Sequence, residues 1–223
     1  MARTVLFDID GTLVDSNYLH IATWSQAFVN AGRPVDDWRI HRAIGMDSAK
    51  LLAALLELDE DQVDHDETAQ RAKSAHRELY RAVRHRLRPF DGARELLRSL
   101  AERGHRVVLA TSAPPEELAA LLEVLDAEAW LAAVTSSDDV DTAKPDPDIV
   151  QVALDKVGAD AADAVFVGDA VWDGAAATRA GVRFVAVRSG GAADADLRDA
   201  GAMAVHDDVA GLLATLDHGP LVS

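Results

Sequence analysis

Thr4-Val5-Leu6-Phe7-Asp8-Ile9-Asp10-Gly11-Thr12 begins as a β-rich apolar run and breaks, over its last residues, into acids and a glycine. A run of this kind over residues 4–9, stopped by Gly11, predicts a buried strand that ends in a loop. Further runs of the same type occupy residues 106–110, 132–135, 164–167 and 182–187. Stretches with helical spacing separate them, at 93–102, 116–125, 148–157 and 171–180. Short apolar strands alternating with amphipathic helices predict an α/β fold with a doubly wound, Rossmann-like parallel sheet. Residues 194–216 add a helix, a weak strand at 203–205 and a closing helix.

One segment breaks the alternation. Between residues 17 and 88 the strand signal is missing and only helical periodicity remains, with Leu51, Leu52, Leu55, Leu56 and Leu58 on one face. So long a strand-free segment after the first strand predicts an inserted helical domain at 17–88, within an α/β core made of 1–16 and 89–223. Ser16-Asn17 and Arg88-Pro89 are the expected hinges, because polar residues and proline interrupt regular structure there. Repeats and low-complexity tracts are absent, and the Ala-rich stretches are ordinary helix filling.

Composition narrows the function classes. Hydrophobic residues are 49% and charged residues 27% of the 223, the make-up of a chain with a real core rather than a disordered one. A formal net charge of -16 repels phosphodiester backbones, so nucleic acid is not the expected partner. The absence of cysteine excludes disulfides, thiolate nucleophiles and soft metal sites, leaving oxygen-ligated hard cations. Val5-Leu6-Phe7 is too short for a signal or membrane segment and is interrupted at once by Asp8, so no membrane role and a cytoplasmic location are expected.

Ligands of an open parallel sheet bind beyond the carboxyl ends of its strands. The polar residues there are Asp8 and Asp10, Thr111 and Ser112, and Asp169 and Asp173, with Lys144 a loop beyond residues 132–135 and a helix expected to open at Pro145. Carboxylates crowded onto one rim repel, each pair by about 4 kcal/mol at ~4 Å and an effective dielectric of 20. A cation relieves that repulsion, and Mg2+ suits an all-oxygen shell completed by a phosphate. Lys144, the hydroxyls of Thr111 and Ser112 and backbone N–H groups near Gly11 then read as a phosphate clamp.

The run from Asp8 to Ser16 resembles the first motif of the haloacid dehalogenase superfamily, most of whose members are phosphatases. Thr111-Ser112 is similar to its second motif, Lys144-Pro145 to its third, and Gly168-Asp169 with Asp173 to its fourth. The order matches along the whole chain, and the helical insertion falls where this superfamily carries a cap. DxDGT after a buried strand is the specific element; each of the others alone recurs by chance.

The resemblance implies hydrolysis of a small phosphorylated metabolite through a phospho-aspartyl intermediate. It makes Asp8 the nucleophile and Asp10 the acid and base. It places Mg2+ on Asp8, the main-chain carbonyl of Asp10, and Asp169, with Lys144 and Thr111 on the phosphate and Asp173 ordering the shell behind them. Thr12 is expected to stabilise the turn rather than touch substrate. The competing local readings are a capping pair for Asp8 and Asp10, an N-cap for Thr111-Ser112, a solvated Lys144, and a dipole-favoured acid in an early helical turn for Asp173.

In the insertion, His20 lies at the hinge with Trp24 one turn on, and is read either as a residue reaching the substrate or as a structural hydrogen-bonding group. A similar pair occurs in the sugar-phosphate mutases and related phosphatases of the superfamily. Ile44-Gly45-Met46-Asp47 resembles the specificity loop of its caps, which makes Gly45 and Met46 candidate substrate residues. The mutase branch places a basic residue shortly after that glycine, whereas Asp47 and Ser48 stand here and Lys50 is the first cation. The alternatives to hydrolysis are therefore a β-phosphoglucomutase-like mutase, a receiver-like phospho-aspartate signalling domain and a non-catalytic phosphate-binding protein. Dehalogenation has no use for Asp10, and phosphonate cleavage would need an imine-forming lysine such as Lys50 or Lys73. Sequence leaves the oligomeric state open.

Overall fold

The computed structural model describes residues 3–140, 142 and 144–221. In chain order the elements are β1 (Thr4–Phe7), α1 (Asn17–Asn30), α2 (Asp37–Ala43), α3 (Ser48–Leu56), α4 (Glu67–Val83) and α5 (Ala93–Glu102). There follow β2 (Arg106–Leu109), α6 (Pro115–Leu125), β3 (Ala133–Val134), α7 (Asp148–Val157), β4 (Ala164–Gly168), α8 (Val171–Arg179), β5 (Arg183–Val187), α9 (Asp194–Asp199), β6 (Ala202–His206) and α10 (Val209–Ala214). The chain divides into two compact units, Met1–Asp15 with Arg88–Ser223 and Ser16–Leu87.

The larger unit is built on one six-stranded sheet in the order β3-β2-β1-β4-β5-β6, parallel throughout. Pleating sends alternate side chains to opposite faces. Leu6, Val108, Phe166 and Phe184 project to one face and pack with Ile149, Val150, Ala153 and Leu154 of α7, Ala176 and Ala177 of α8, and Leu197 of α9. Val5, Phe7, Val107, Leu109, Val165 and Val167 are buried on the other. Both faces being covered explains why these strands read as continuous apolar runs rather than as alternating ones.

The smaller unit is helical. α4 buries Ala69, Ala72, His76 and Tyr80, three or four residues apart, and so presents one stripe to its neighbours. Trp24, Ala27 and Phe28 of α1, Ile40 of α2, and Leu51, Leu52, Leu55 and Leu56 of α3 share a core with Ala69 and Ala72.

Three details depart from the sequence reading. Helix α7 starts at Asp148, not Pro145, because the steric demands of Pro145 and Pro147 keep Lys144 and Asp146 out of helical backbone. Leu58 lies beyond α3 rather than on its face. Glu57 turns left-handed, with φ 61°, and the Leu58 N–H closes the end on the Ala53 carbonyl at 3.0 Å. At the junctions, Ser16 goes with the helical unit, its carbonyl accepting from the Leu19 and His20 N–H groups. Arg88 goes with the sheet unit, its carbonyl accepting from the Asp15 N–H at 2.9 Å and its guanidinium pairing with Asp15 Oδ2 at 2.8 Å.

Candidate active site

Asp8 is the residue directly after β1, and its N–H extends the ladder by donating to the Val167 carbonyl of β4 at 2.9 Å. That fixes its carboxylate at the carboxyl end of the two central strands. Lys144 Nζ lies 2.8 Å from Asp8 Oδ1 and 2.8 Å from Asp173 Oδ1, with only 2% of its side chain exposed. It also lies 5.3 Å from the centroid of the Phe166 ring, a favourable place for a cation. A solvated loop lysine is therefore not what the structure shows.

Asp173 is fully buried in the first turn of α8, where Oδ2 accepts from the Asp169 N–H at 3.0 Å and the Ala170 N–H at 2.9 Å. It thus closes the helix start and holds Lys144 at once. Gly168 makes this packing possible, since a Cβ there would stand 2.4 Å from Asp173 Oδ2. Asp169 is buried too, and Thr12 Oγ1 donates to its Oδ1 at 2.7 Å.

Carboxylate oxygens of Asp8, Asp169 and Asp173 lie within 4.8 Å of one another. When all three are ionised, these buried carboxylates facing one buried ammonium leave two negative charges uncompensated, the charge of one divalent ion. The Asp8 carboxyl is raised from 3.8 to about 7, by burial above all, against the pull of Lys144 and with Asp173 and Asp10 adding to the rise. Burial disfavours the charge on Lys144 as well, but Asp173 and Asp8 outweigh it and hold the ammonium above its ordinary pKa. All the donors are hard oxygens, so the set fits Mg2+.

Asp10 sits on the same loop, half-exposed. Gly11, near which backbone N–H groups are expected to meet phosphate, donates its own N–H to the Val14 carbonyl at 2.9 Å, closing the turn. What Gly11 contributes is its φ of 72°, a backbone open to glycine at no steric cost. Ser189, just past β5, donates Oγ to the Gly11 carbonyl at 2.6 Å. Thr111 is buried after β2; Thr135 Oγ1 accepts from its N–H at 3.1 Å and donates to its carbonyl at 3.0 Å. Neither Thr111 nor Ser112 caps α6, whose N-cap is Pro114; Thr111 Oγ1 accepts from the Ala113 N–H instead. Ser112 is half-buried beside it.

The candidates of the helical unit lie within its own packing. His20 Nδ1 is 3.2 Å from His76 Nε2, and the His20 ring stacks on Tyr80 at 4.0 Å as His76 does on Trp24. Burial, then His20 and Arg77, hold His76 neutral down to about 2. Gly45 has φ 94° in the loop between α2 and α3, and Met46 packs against the helical core. Asp47 caps α3, its Oδ1 accepting from the Ala49 N–H at 2.6 Å and the Lys50 N–H at 3.0 Å. Sequence reasoning missed Ser189, Thr135 and His76, and missed that Thr12 reaches Asp169. Ser189 and Thr135 carried a usable signal, a hydroxyl just beyond a strand end.

Comparison with known proteins agrees with this geometry. The haloacid dehalogenase-like hydrolase family profile matches residues 5–187. A phosphoglycolate phosphatase of Rhodospirillum rubrum is 34% identical over 95% of this chain and 90% of its own. A phosphorylated carbohydrates phosphatase of Thermotoga maritima is 29% identical over 70% of each chain. Among solved structures, a hydrolase from Pseudomonas syringae superposes with a TM-score of 0.89 at 35% identity, covering 96% of this chain and 98% of the other.

Proposed function

The chain belongs to the haloacid dehalogenase-like hydrolase family, and from that premise we propose that it is a Mg2+-dependent phosphatase whose Asp8 accepts the phosphoryl group of a small phosphomonoester. The observation that carries this reading is the buried Asp8 carboxylate, 2.8 Å from Lys144 and within 4.8 Å of Asp169 and Asp173. A carboxylate needs no general base to act as nucleophile, only positioning and relief from neighbouring negative charge. An Asp8 oxygen attacks phosphorus, the P–O bond to the leaving group breaks, and the carboxyl of Asp10 protonates the departing oxygen. Asp10 then takes a proton from water as that water attacks the phospho-aspartate, releasing phosphate and restoring both acids.

Asp8, Asp169 and the main-chain carbonyl of Asp10 would hold the Mg2+, which when bound offsets charge on the transferred group. Lys144 fixes Asp8 and binds phosphoryl oxygens, with Thr111 and Ser112 as hydroxyl donors. Asp173 acts from behind, because Lys144, Asp169 and Ala170 already engage its oxygens. The helical unit serves as a cap that selects the leaving group, and the cytoplasm suits an acidic, cysteine-free chain. Among the described residues no helix is long and apolar enough to cross a membrane.

Phosphoglycolate and phosphorylated carbohydrates are the first substrates to try, since two relatives are named for them. Hydrolysis is favoured over mutation because Asp47, where the mutase branch is basic, is an N-cap. The test is a phosphate-release screen over such esters, with Mg2+ and with chelator. Asp8→Asn should abolish release and phosphoenzyme while the protein stays folded; release by that variant would reject the mechanism.

A further inference from the structure

Ser189 belongs to no element assigned to the reaction, yet it makes a long-range contact to the catalytic loop. Its Oγ donates to the Gly11 carbonyl at 2.6 Å across 178 positions of sequence. Sheet order explains what the contact spans. β4 lies between β1 and β5, so a bond from the end of β5 to the loop after β1 passes the end of β4, where Asp169 sits. Thr12, the next residue after Gly11, reaches that same Asp169 at 2.7 Å.

The two peptide groups flanking Gly11 are consequently both tied down. The one shared with Asp10 is held by the Gly11 N–H on the Val14 carbonyl at 2.9 Å. The one shared with Thr12 is held by Ser189 on the oxygen side and, on the nitrogen side, by the Thr12 N–H on the Ile9 carbonyl at 3.2 Å. Gly11 has φ 72° and no side chain to limit it, so its torsions are the loosest in the loop. Ser189 is itself anchored: the Arg188 N–H donates to the His206 carbonyl at 3.0 Å and the Gly191 N–H to the Arg188 carbonyl at 2.9 Å.

We infer that Ser189 is a positioning residue, whose hydroxyl locks the Gly11–Thr12 peptide and thereby aims both the Asp10 carboxyl and the Thr12 hydroxyl. This rests on the phosphatase reading, since only there does Asp10 have a proton to deliver.

The test compares wild type, Ser189→Ala and Ser189→Thr in saturating Mg2+ with p-nitrophenyl phosphate, alongside amide hydrogen exchange. Loss of this part-buried hydrogen bond to the loop should lower kcat of Ser189→Ala about ten-fold. KM should change less than about two-fold and the thermal midpoint should hold, because neither phosphate donors nor core are touched. Exchange at Gly11 and Thr12 should quicken while β4 and β5 keep their protection, and Ser189→Thr should restore both readouts. An unchanged kcat in an active background overturns the proposal. So does a loss of kcat that follows a fall in thermal midpoint and is not rescued by threonine. Failure of the wild type itself to release phosphate from any ester would overturn the phosphatase reading, and this role with it.

Discussion

Thr12 Oγ1 donates to Asp169 Oδ1 at 2.7 Å, with both side chains buried and 157 positions of sequence between them. The bond joins the loop after β1 to the end of β4. It gives Asp169 a neutral donor from the neighbouring loop, which orients that carboxylate from behind.

Removing that donor should be felt first in metal affinity. Thr12→Val keeps the shape and deletes the hydroxyl, so Mg2+ binding measured by calorimetry should weaken about ten-fold, the usual scale for a residue that orients a ligand from behind. Thr12→Ser keeps the donor and should bind Mg2+ nearly as the wild type does. Equal affinities for all three proteins would show that the bond does not orient Asp169.

Gly168→Ala tests the packing behind the site. The added Cβ would fall 2.4 Å from Asp173 Oδ2 and 2.6 Å from Asp173 Cβ. Asp173 is held by two backbone N–H groups and by Lys144, so it cannot swing aside without breaking them. Denaturant unfolding should show a loss of about 2–3 kcal/mol, with phosphate release falling alongside. A variant as stable and active as wild type would mean that the loop after β4 yields easily.

Much of this architecture was legible because a parallel sheet writes its strands as apolar runs and its site as the polar residues that end them. Asp8 and Asp169 were readable in that way, Lys144 and Asp173 as motif residues a loop or a helical turn further on, and the insertion as a strand-free stretch. What stayed hidden are contacts that depend on sheet order. No spacing rule links Ser189 to Gly11 or Thr135 to Thr111, because β5 and β3 find their neighbours only when the sheet assembles. His76 was passed over for a similar reason, since its partners His20 and Trp24 come from another helix. The helical spacing read at 148–157 coincides with α7, and only the expected opening at Pro145 failed, because two proline steps keep the residues before them out of helical backbone.

Metal binding should depend on pH through Asp8. Burial first, then the charges of Asp173 and Asp10, raise its pKa from 3.8 to about 7 against the pull of Lys144. The folded carboxyl therefore keeps a proton that the unfolded chain has lost between those values, and the metal-free protein loses stability as pH rises from about 4 to about 7. Mg2+ must displace that proton, so its affinity should be about ten-fold lower at pH 6 than at pH 8 and level off above. A pH-independent affinity across that range would show Asp8 already ionised without metal.

The helical unit should respond to acid in the opposite sense. His76 is buried, and burial first, then His20 and Arg77, lower its pKa from 6.5 to about 2. It stays neutral in the fold while the unfolded chain protonates below 6.5, so its contribution is complete above that pH and is lost as pH falls. Each pH unit below 6.5 removes about 1.4 kcal/mol, or about 2–3 kcal/mol by pH 4.5. His76→Gln keeps a polar partner for His20 but does not titrate. Urea unfolding of both proteins from pH 7 to 4.5 should therefore show the wild type declining more steeply by about that amount, with Asp8 contributing equally to each. Parallel curves would mean that His76 takes up its proton without leaving the stack between α1 and α4.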